Sequence, residues 1–219
     1  MISFWGVNFH LYGLILGLGI LVAKEVVYKV ARERKIEEKK LDRLFFAVII
    51  GGIVGARLYN VLDNLTYYSE NVVKIFMIWD GGLGIWGAIA GGLTALQLLI
   101  LIFKFSIANS IWDLAAIGMP IVQAIGRWGN FFNNEIIGKN GEPLFLCESL
   151  ATLILFLIIY RLRNKKKYKL MGIYLIGYGG VRLLLEGFRI PSDTWMIGNI
   201  SVSGVLSLAA ILWGFIWQR

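Results

Sequence analysis

Apolar residues run along this chain in long stretches at about 9–30, 43–62, 81–103, 111–127, 145–162, 170–187 and 199–217, separated by short polar connections. Each is roughly 17 to 25 residues long, the length a helix needs to cross the hydrocarbon of a bilayer. The pattern predicts an all-α, polytopic integral membrane protein of seven transmembrane helices, built as a single domain over residues 1–219. Neither an internal repeat nor a low-complexity linker divides it. Small residues recur at four-residue spacing, at Gly13 and Gly17, Gly51 and Gly55, and Gly84, Ala88 and Gly92, where they would let helices approach closely.

Composition agrees, with 58% hydrophobic residues, 16% charged residues and a mean hydropathy of +0.69. A soluble domain is seldom so apolar. The net charge of +8 raises the question of nucleic acid, but the basic residues sit in two blocks, "KVARERKIEEKKLDR" and "YRLRNKKKYK". Such blocks stay cytoplasmic. An odd number of spans separates each block from the N-terminus, so the expected topology is N-terminus outside and C-terminus cytoplasmic, with no nucleic acid partner. The first basic residue is Lys24, so no charged leader precedes the first span and that helix is expected to be retained.

Charges within the spans change the picture further, because an intramembrane ion is expensive and needs a reason. The topology places Arg57, Arg127, Glu148, Arg182, Glu186 and Arg189 toward the outer leaflet, with Tyr12 beginning its span from the same side. Arg182, Glu186 and Arg189 are spaced four and three apart, which puts them on one face of a helix, where they can support an ion-pair network. Arginines outnumber acids at this depth, and several guanidiniums around one pocket suit a phosphate, whose oxygens they bind bidentately. A phospholipid headgroup is the phosphate available there.

Other candidates have structural readings. Gly82, Gly84 and Gly87 fit GxGxxG, but no strand precedes them, so a dinucleotide site is rejected. Cys147 is the only cysteine and His10 the only histidine. That argues against disulfides and a multi-ligand metal centre, and no cofactor is implied. Cys147 is expected to be an inert packing residue, and Asp113 to cap the start of its own helix.

The segment "GRWGNFFNNEIIG" resembles the signature of the prolipoprotein diacylglyceryl transferases, GRxGNFxNxExxG. "HLYGL", "GARLYNVL", "WDGGLGIWGAIAGG", "PLFLCESL" and "YGGVRLLLEGFRIPSD" resemble further motifs of that family in the same order. The resemblance implies transfer of a diacylglyceryl group from phosphatidylglycerol to the lipobox cysteine of a preprolipoprotein signal peptide, in the bacterial inner or plasma membrane, with release of glycerol phosphate. It implies that Arg127 and Arg182 hold the phosphate, that Asn130 donates to the headgroup, and that Gly138 ends the signature loop. Asn133, Glu135, Glu186, Arg189 and Arg57 match further polar positions, and Tyr12 the tyrosine of the first span. Two positions depart from the pattern: Trp86 stands where many members carry histidine, and Cys147 where tyrosine is usual before Glu148. With the imidazole replaced, Tyr12, His10 and Glu148 are the candidate acceptors of the thiol proton, and Trp86 is expected to pack against lipid or peptide. A lipid transporter or a non-catalytic lipid-binding scaffold would also use outward-facing arginines, without producing thioether-linked lipid.

Overall fold

The computed structural model describes residues 2–4, 7–9, 11–103, 108–133, 136–165, 167–190, 196–198 and 200–219. Each predicted apolar stretch contains a helix: α1 (Leu11–Glu33), α2 (Glu38–Asp63), α4 (Ile85–Ile102), α5 (Ala108–Phe132), α6 (Leu144–Leu162), α7 (Leu170–Glu186) and α8 (Val202–Gln218), with the short α3 (Leu65–Glu70) after α2. Among the described residues α1, α2, α4 and α6 are long and apolar enough to cross a membrane. Large apolar side chains line their surfaces, such as Leu14, Leu18 and Leu21 on α1 and Leu150, Leu153 and Ile154 on α6. In water such faces would aggregate; against acyl chains they are in their own solvent. The chain is an all-helical, multi-pass membrane protein.

Two small antiparallel hairpins also occur, β1 (Ile2–Phe4) with β2 (Val7–Phe9) and β3 (Met196–Ile197) with β4 (Ile200–Ser201). Strands of two or three residues are too short to show a period-2 pattern, which is why an all-α reading passes over them.

The chain forms two compact units, one of Met1–Val30 with Asn109–Arg219, the other of Ala31–Ala108. In the second unit, α2 and α4 meet backbone to backbone through Gly51, Gly55, Gly87 and Gly91. A Cβ on Gly91 would lie 2.2 Å from the Gly51 carbonyl oxygen, and one on Gly55 would lie 2.3 Å from that of Gly87. The four-residue spacing anticipated from sequence is therefore real on α2. On α4 the close contacts use Gly87 and Gly91 instead of Ala88 and Gly92, one position earlier in each case. Gly13 and Gly17 of α1 face open space and take no part in such packing.

In the first unit α7 and α8 pack through Gly172, Gly179 and Gly214: a Cβ on Gly214 would come within 2.8 Å of the Gly172 carbonyl oxygen. Helix α1 lies against α5, where Val27 meets Gly118, Ile125 meets Gly19 and the ring of Tyr12 covers Gly129. Asp113 does not cap its own helix, which has already begun at Ala108. Its Oδ1 accepts the Leu170 amide at 2.9 Å, one of the N–H groups that the start of α7 leaves without an intrahelical acceptor. The acid does cap a helix, but a different one from that expected.

Candidate functional site

The polar residues of the first unit converge on Glu148, whose side chain is only 1% exposed. It lies in the second turn of α6, with Arg127 of α5 on one carboxylate oxygen and Arg182 of α7 on the other. Arg127 Nη2 donates to Oε1, and Arg182 Nη1 donates to Oε2 at 3.2 Å. Tyr178, one helical turn before Arg182, donates its hydroxyl to Oε1 at 3.3 Å. Beside the pair, Ser149 donates to the Ala124 carbonyl oxygen at 2.8 Å, fixing α6 against α5. Two guanidiniums from different helices are thereby held side by side by one carboxylate, which answers the charge of only one of them.

Arg182 has a second set of neighbours. Its Nη2 donates to Ser203 Oγ at 2.7 Å and lies 3.9 Å from Glu186 Oε2. Glu186 in turn accepts from Ser201. Ser201 is the N-cap of α8 and accepts from the Gly204 amide at 3.1 Å. Below Tyr178 the polar track continues inward: its ring stacks on that of Tyr174, with centroids 5.7 Å apart, and Gln123 donates to the Tyr174 hydroxyl at 2.8 Å.

The signature segment lies mostly on a helix. Hydrophobic patterning ends near residue 127, but the hydrogen-bonded helix runs to Phe132. Arg127 and the buried Asn130 therefore share a face at three-residue spacing. Gly129 between them admits the Tyr12 ring, since a Cβ there would lie 2.4 Å from Tyr12 Cδ2. Asn133 follows the helix and is exposed. Beyond it, Ile136 has a φ of +61°, an unfavourable conformation for a β-branched residue, of the kind that often marks a functional loop. Gly138 donates its amide to the Glu142 carbonyl oxygen at 2.8 Å, and Lys139 donates to that of Phe188 at 2.9 Å. Gly138 also forms a bridge with Arg189.

Arg189 thus belongs to the strand-like segment after α7, because the helix ends at Glu186. It is not the third member of a helical face, as the spacing implied, but it is tied to the signature loop. Its half-buried guanidinium is held below the ordinary arginine value by desolvation and by the Arg182 charge. Among the described residues the guanidiniums of Arg127, Arg182 and Arg189 lie near the carboxylates of Glu148 and Glu186.

The remaining candidates lie elsewhere. Arg57 belongs to the second unit, where its Nε donates to the Ile75 carbonyl oxygen at 2.9 Å. Its Nη1 donates to Gly81 at 2.6 Å and Gly82 at 3.1 Å, and its Nη2 to Lys74 and Met77 at 3.1 Å. All five N–H donors of a guanidinium are matched by carbonyls of one loop. Trp86, in the first turn of α4, is also in that unit and is 40% exposed. Cys147 is exposed, on the apolar face of α6 that includes Leu150, and is not the packed residue that was expected. His10 and Glu135 lie outside the described residues. Sequence reasoning passed over Tyr178, Ser201 and Ser203; Tyr178 was findable as the polar residue one turn before Arg182, whereas the serines carry no signal until α8 is placed against α7.

An apolar helical protein with two part-buried arginines held on one buried carboxylate is of the class of multi-pass helical membrane proteins. A family profile described as prolipoprotein diacylglyceryl transferase matches residues 1–218. Among similar curated proteins are the phosphatidylglycerol-prolipoprotein diacylglyceryl transferases of Finegoldia magna, 34% identical with 99% of this chain and 92% of the relative covered, and of Thermotoga maritima, 35% identical with 96% and 80% covered. That of Clostridioides difficile is 30% identical, with 98% and 91% covered. The chain belongs to the prolipoprotein diacylglyceryl transferase family and is a transferase.

Proposed function

We propose that this transferase moves the diacylglyceryl group of phosphatidylglycerol onto the lipobox cysteine of a preprolipoprotein signal peptide, the first step of bacterial lipoprotein maturation. The sulfur forms a bond to the glyceryl carbon as the bond from that carbon to the phosphate oxygen breaks. The electron pair leaves with glycerol phosphate. One observation carries the site assignment: Arg127 and Arg182, from two helices, are pinned side by side on the buried Glu148. A phosphate oxygen that gains charge as the carbon–oxygen bond breaks is stabilised by preorganised cations in a water-poor pocket, and the guanidinium fork matches its geometry.

In this reading Asn130 and Asn133 donate to the headgroup, Glu135, Glu186 and Arg189 orient it, and Gly138 closes the signature loop. Arg57, on α2, orders the loop after α3 through the carbonyls of residues 74–82. Tyr12, His10 and Glu148 are the groups proposed to take the thiol proton, and Trp86 packs against lipid or peptide. The thiol that reacts is the substrate's, consistent with a lone enzyme cysteine that lies exposed on the apolar face of α6. All seven long helices are proposed to span the bacterial inner or plasma membrane as one domain, with the N-terminus outside, the C-terminus cytoplasmic and the site open to the outer leaflet. Two cytoplasmic basic blocks support that orientation, and lateral entry from the bilayer suits both lipid-borne substrates.

The test mixes purified protein in nanodiscs with phosphatidylglycerol and a lipobox peptide and follows the peptide by mass spectrometry. Wild type should add diacylglyceryl to the cysteine and release glycerol phosphate, while folded Arg127→Ala and Arg182→Ala should not. Lipid binding without modification of the peptide by wild type would refute the reaction and favour a transporter or a lipid-binding scaffold.

A further inference from the structure

The first turn of α8 grips both ends of the Arg182–Glu186 pair. Ser203 receives Arg182 Nη2 at 2.7 Å, and two residues earlier Ser201 donates to Glu186 Oε1. The Ser201 hydroxyl is itself oriented, because its oxygen accepts the Gly204 amide as the helix N-cap, leaving its proton for the carboxylate. The short β3–β4 hairpin delivers the chain to this turn, and α8 is locked to α7 by the glycine contacts at Gly179 and Gly214. These hydroxyls are thus fixed to the backbone frame of the arginine that they touch.

The arrangement settles which edge of Arg182 is engaged. A guanidinium has five N–H donors; among the described residues Arg182 gives one to Glu148 from Nη1 and one to Ser203 from Nη2. Two anchors on different nitrogens fix the rotation of the plane, which one anchor would not, and leave other donors for an anion. We propose that Ser203 and Ser201 are positioning residues for phosphate recognition: Ser203 sets the plane of Arg182, and Ser201 holds Glu186 in place beside it. This rests on the transferase reading, and it names side chains that neither the signature segment nor the paired arginines point to.

The decisive experiment measures phosphatidylglycerol binding and turnover in nanodiscs of graded phosphatidylglycerol content for wild type, Ser203→Ala, Ser203→Thr and Arg182→Ala, with Ser203→Ala also placed in the Arg182→Ala background. A lost hydrogen bond to a charged group predicts that Ser203→Ala raises the lipid KM and the lipid Kd about tenfold or more. Its peptide KM should stay at the wild-type value and the protein should remain folded, and Ser203→Thr, which keeps the hydroxyl, should restore lipid affinity. In the Arg182→Ala background Ser203→Ala should have no further effect on lipid binding. The proposal is overturned if folded Ser203→Ala binds lipid within twofold of wild type, if Ser203→Thr is as impaired as Ser203→Ala, or if the loss is undiminished without Arg182. A wild type that forms no thioether would defeat the proposed reaction while the binding series still decides the role of Ser203.

Discussion

Replacing Glu148 by glutamine keeps the shape of the side chain and removes the charge that holds two arginines together. At the 3.2 Å separation of Arg182 Nη1 from Oε2, an effective dielectric of about 20 gives an attraction of about 5 kcal/mol. Much of that offsets desolvation, and removing one partner of a buried pair typically costs about 3 to 5 kcal/mol. Glutamine is worse than a neutral filler here, because one of its two terminal atoms must turn N–H donors toward an arginine that has only donors. For a chain of this size the cost corresponds to roughly 10 °C in melting temperature. The control is Glu38→Gln: the Arg32–Glu38 pair is shorter, at 2.6 Å, but its side chains are 60% and 51% exposed, so its loss should cost no more than about 1 kcal/mol. Thermal unfolding of both variants in one detergent, with and without phosphatidylglycerol, measures the difference. The lipid phosphate should stabilise Glu148→Gln more than wild type, since it supplies the missing negative charge. If Glu148→Gln melts within about 2 °C of wild type, or lipid does not narrow the gap, the two arginines are not held by this carboxylate and the reasoning fails.

Other consequences can be checked separately. Arg57→Ala should raise hydrogen exchange across residues 72–82 by at least tenfold, because five carbonyls lose their common donor, and added guanidinium ion should reverse this while phosphate does not. Gly91→Ala should lower the melting temperature by several degrees, since its Cβ would sit 2.2 Å from the Gly51 carbonyl oxygen, whereas Gly13→Ala, with nothing within 4 Å, should leave it unchanged or slightly raised. In the 138–142 loop, hydrogen bonds from Asn140 hold the Glu142 carboxyl below its ordinary value of 4.5. A depressed value means that the contribution to loop order is present above that pH and lost as the pH falls through the lowered value. Protection of the Asn140 amide should therefore fall in that acid range, and Glu142→Gln should abolish the pH dependence.

What the sequence made legible follows from how local each signal is. The helices could be read because a run of leucine and isoleucine is itself the reason for a buried or lipid-facing helix, and all seven lie where the apolar stretches do. Their ends could not, since a helix continues while its backbone bonds are satisfied, whatever the hydropathy; hence α5 carries Arg127 and Asn130 on one face instead of ending before them. The charged candidates Arg127, Glu148, Arg182 and Glu186 were visible as expensive residues in apolar surroundings. Their pairing was not, because Glu148 meets two arginines from other helices and no spacing encodes that. Arg57 shows the converse. As a buried cation it looked like a phosphate ligand, but a loop some twenty residues further on had already filled its donors with carbonyls, and only coordinates show where a backbone turns its oxygens.

On the proposed reading, that contrast separates two uses of arginine within one membrane protein. Arg57 is saturated: five acceptors on five donors leave a folded loop and no vacancy for an anion, so its charge serves structure. Among the described residues Arg127 and Arg182 share the Glu148 carboxylate, so the pair is stable enough to be part-buried yet remains short of negative charge. A site for a leaving phosphate needs that intermediate condition. Without Glu148 the guanidiniums would repel one another and the packing of α5 and α7 on α6 would weaken; with a second acid as close as Glu148 they would be neutralised and a phosphate would gain little. Glu186 stands further off, at 3.9 Å from Arg182, with Ser201 donating to it. Its charge thus orients Arg182 without consuming the donors that a substrate needs. The same logic explains why hydroxyls hold Arg182 from the α8 side: a serine fixes the plane of a guanidinium and leaves its charge intact, which a third carboxylate there would not.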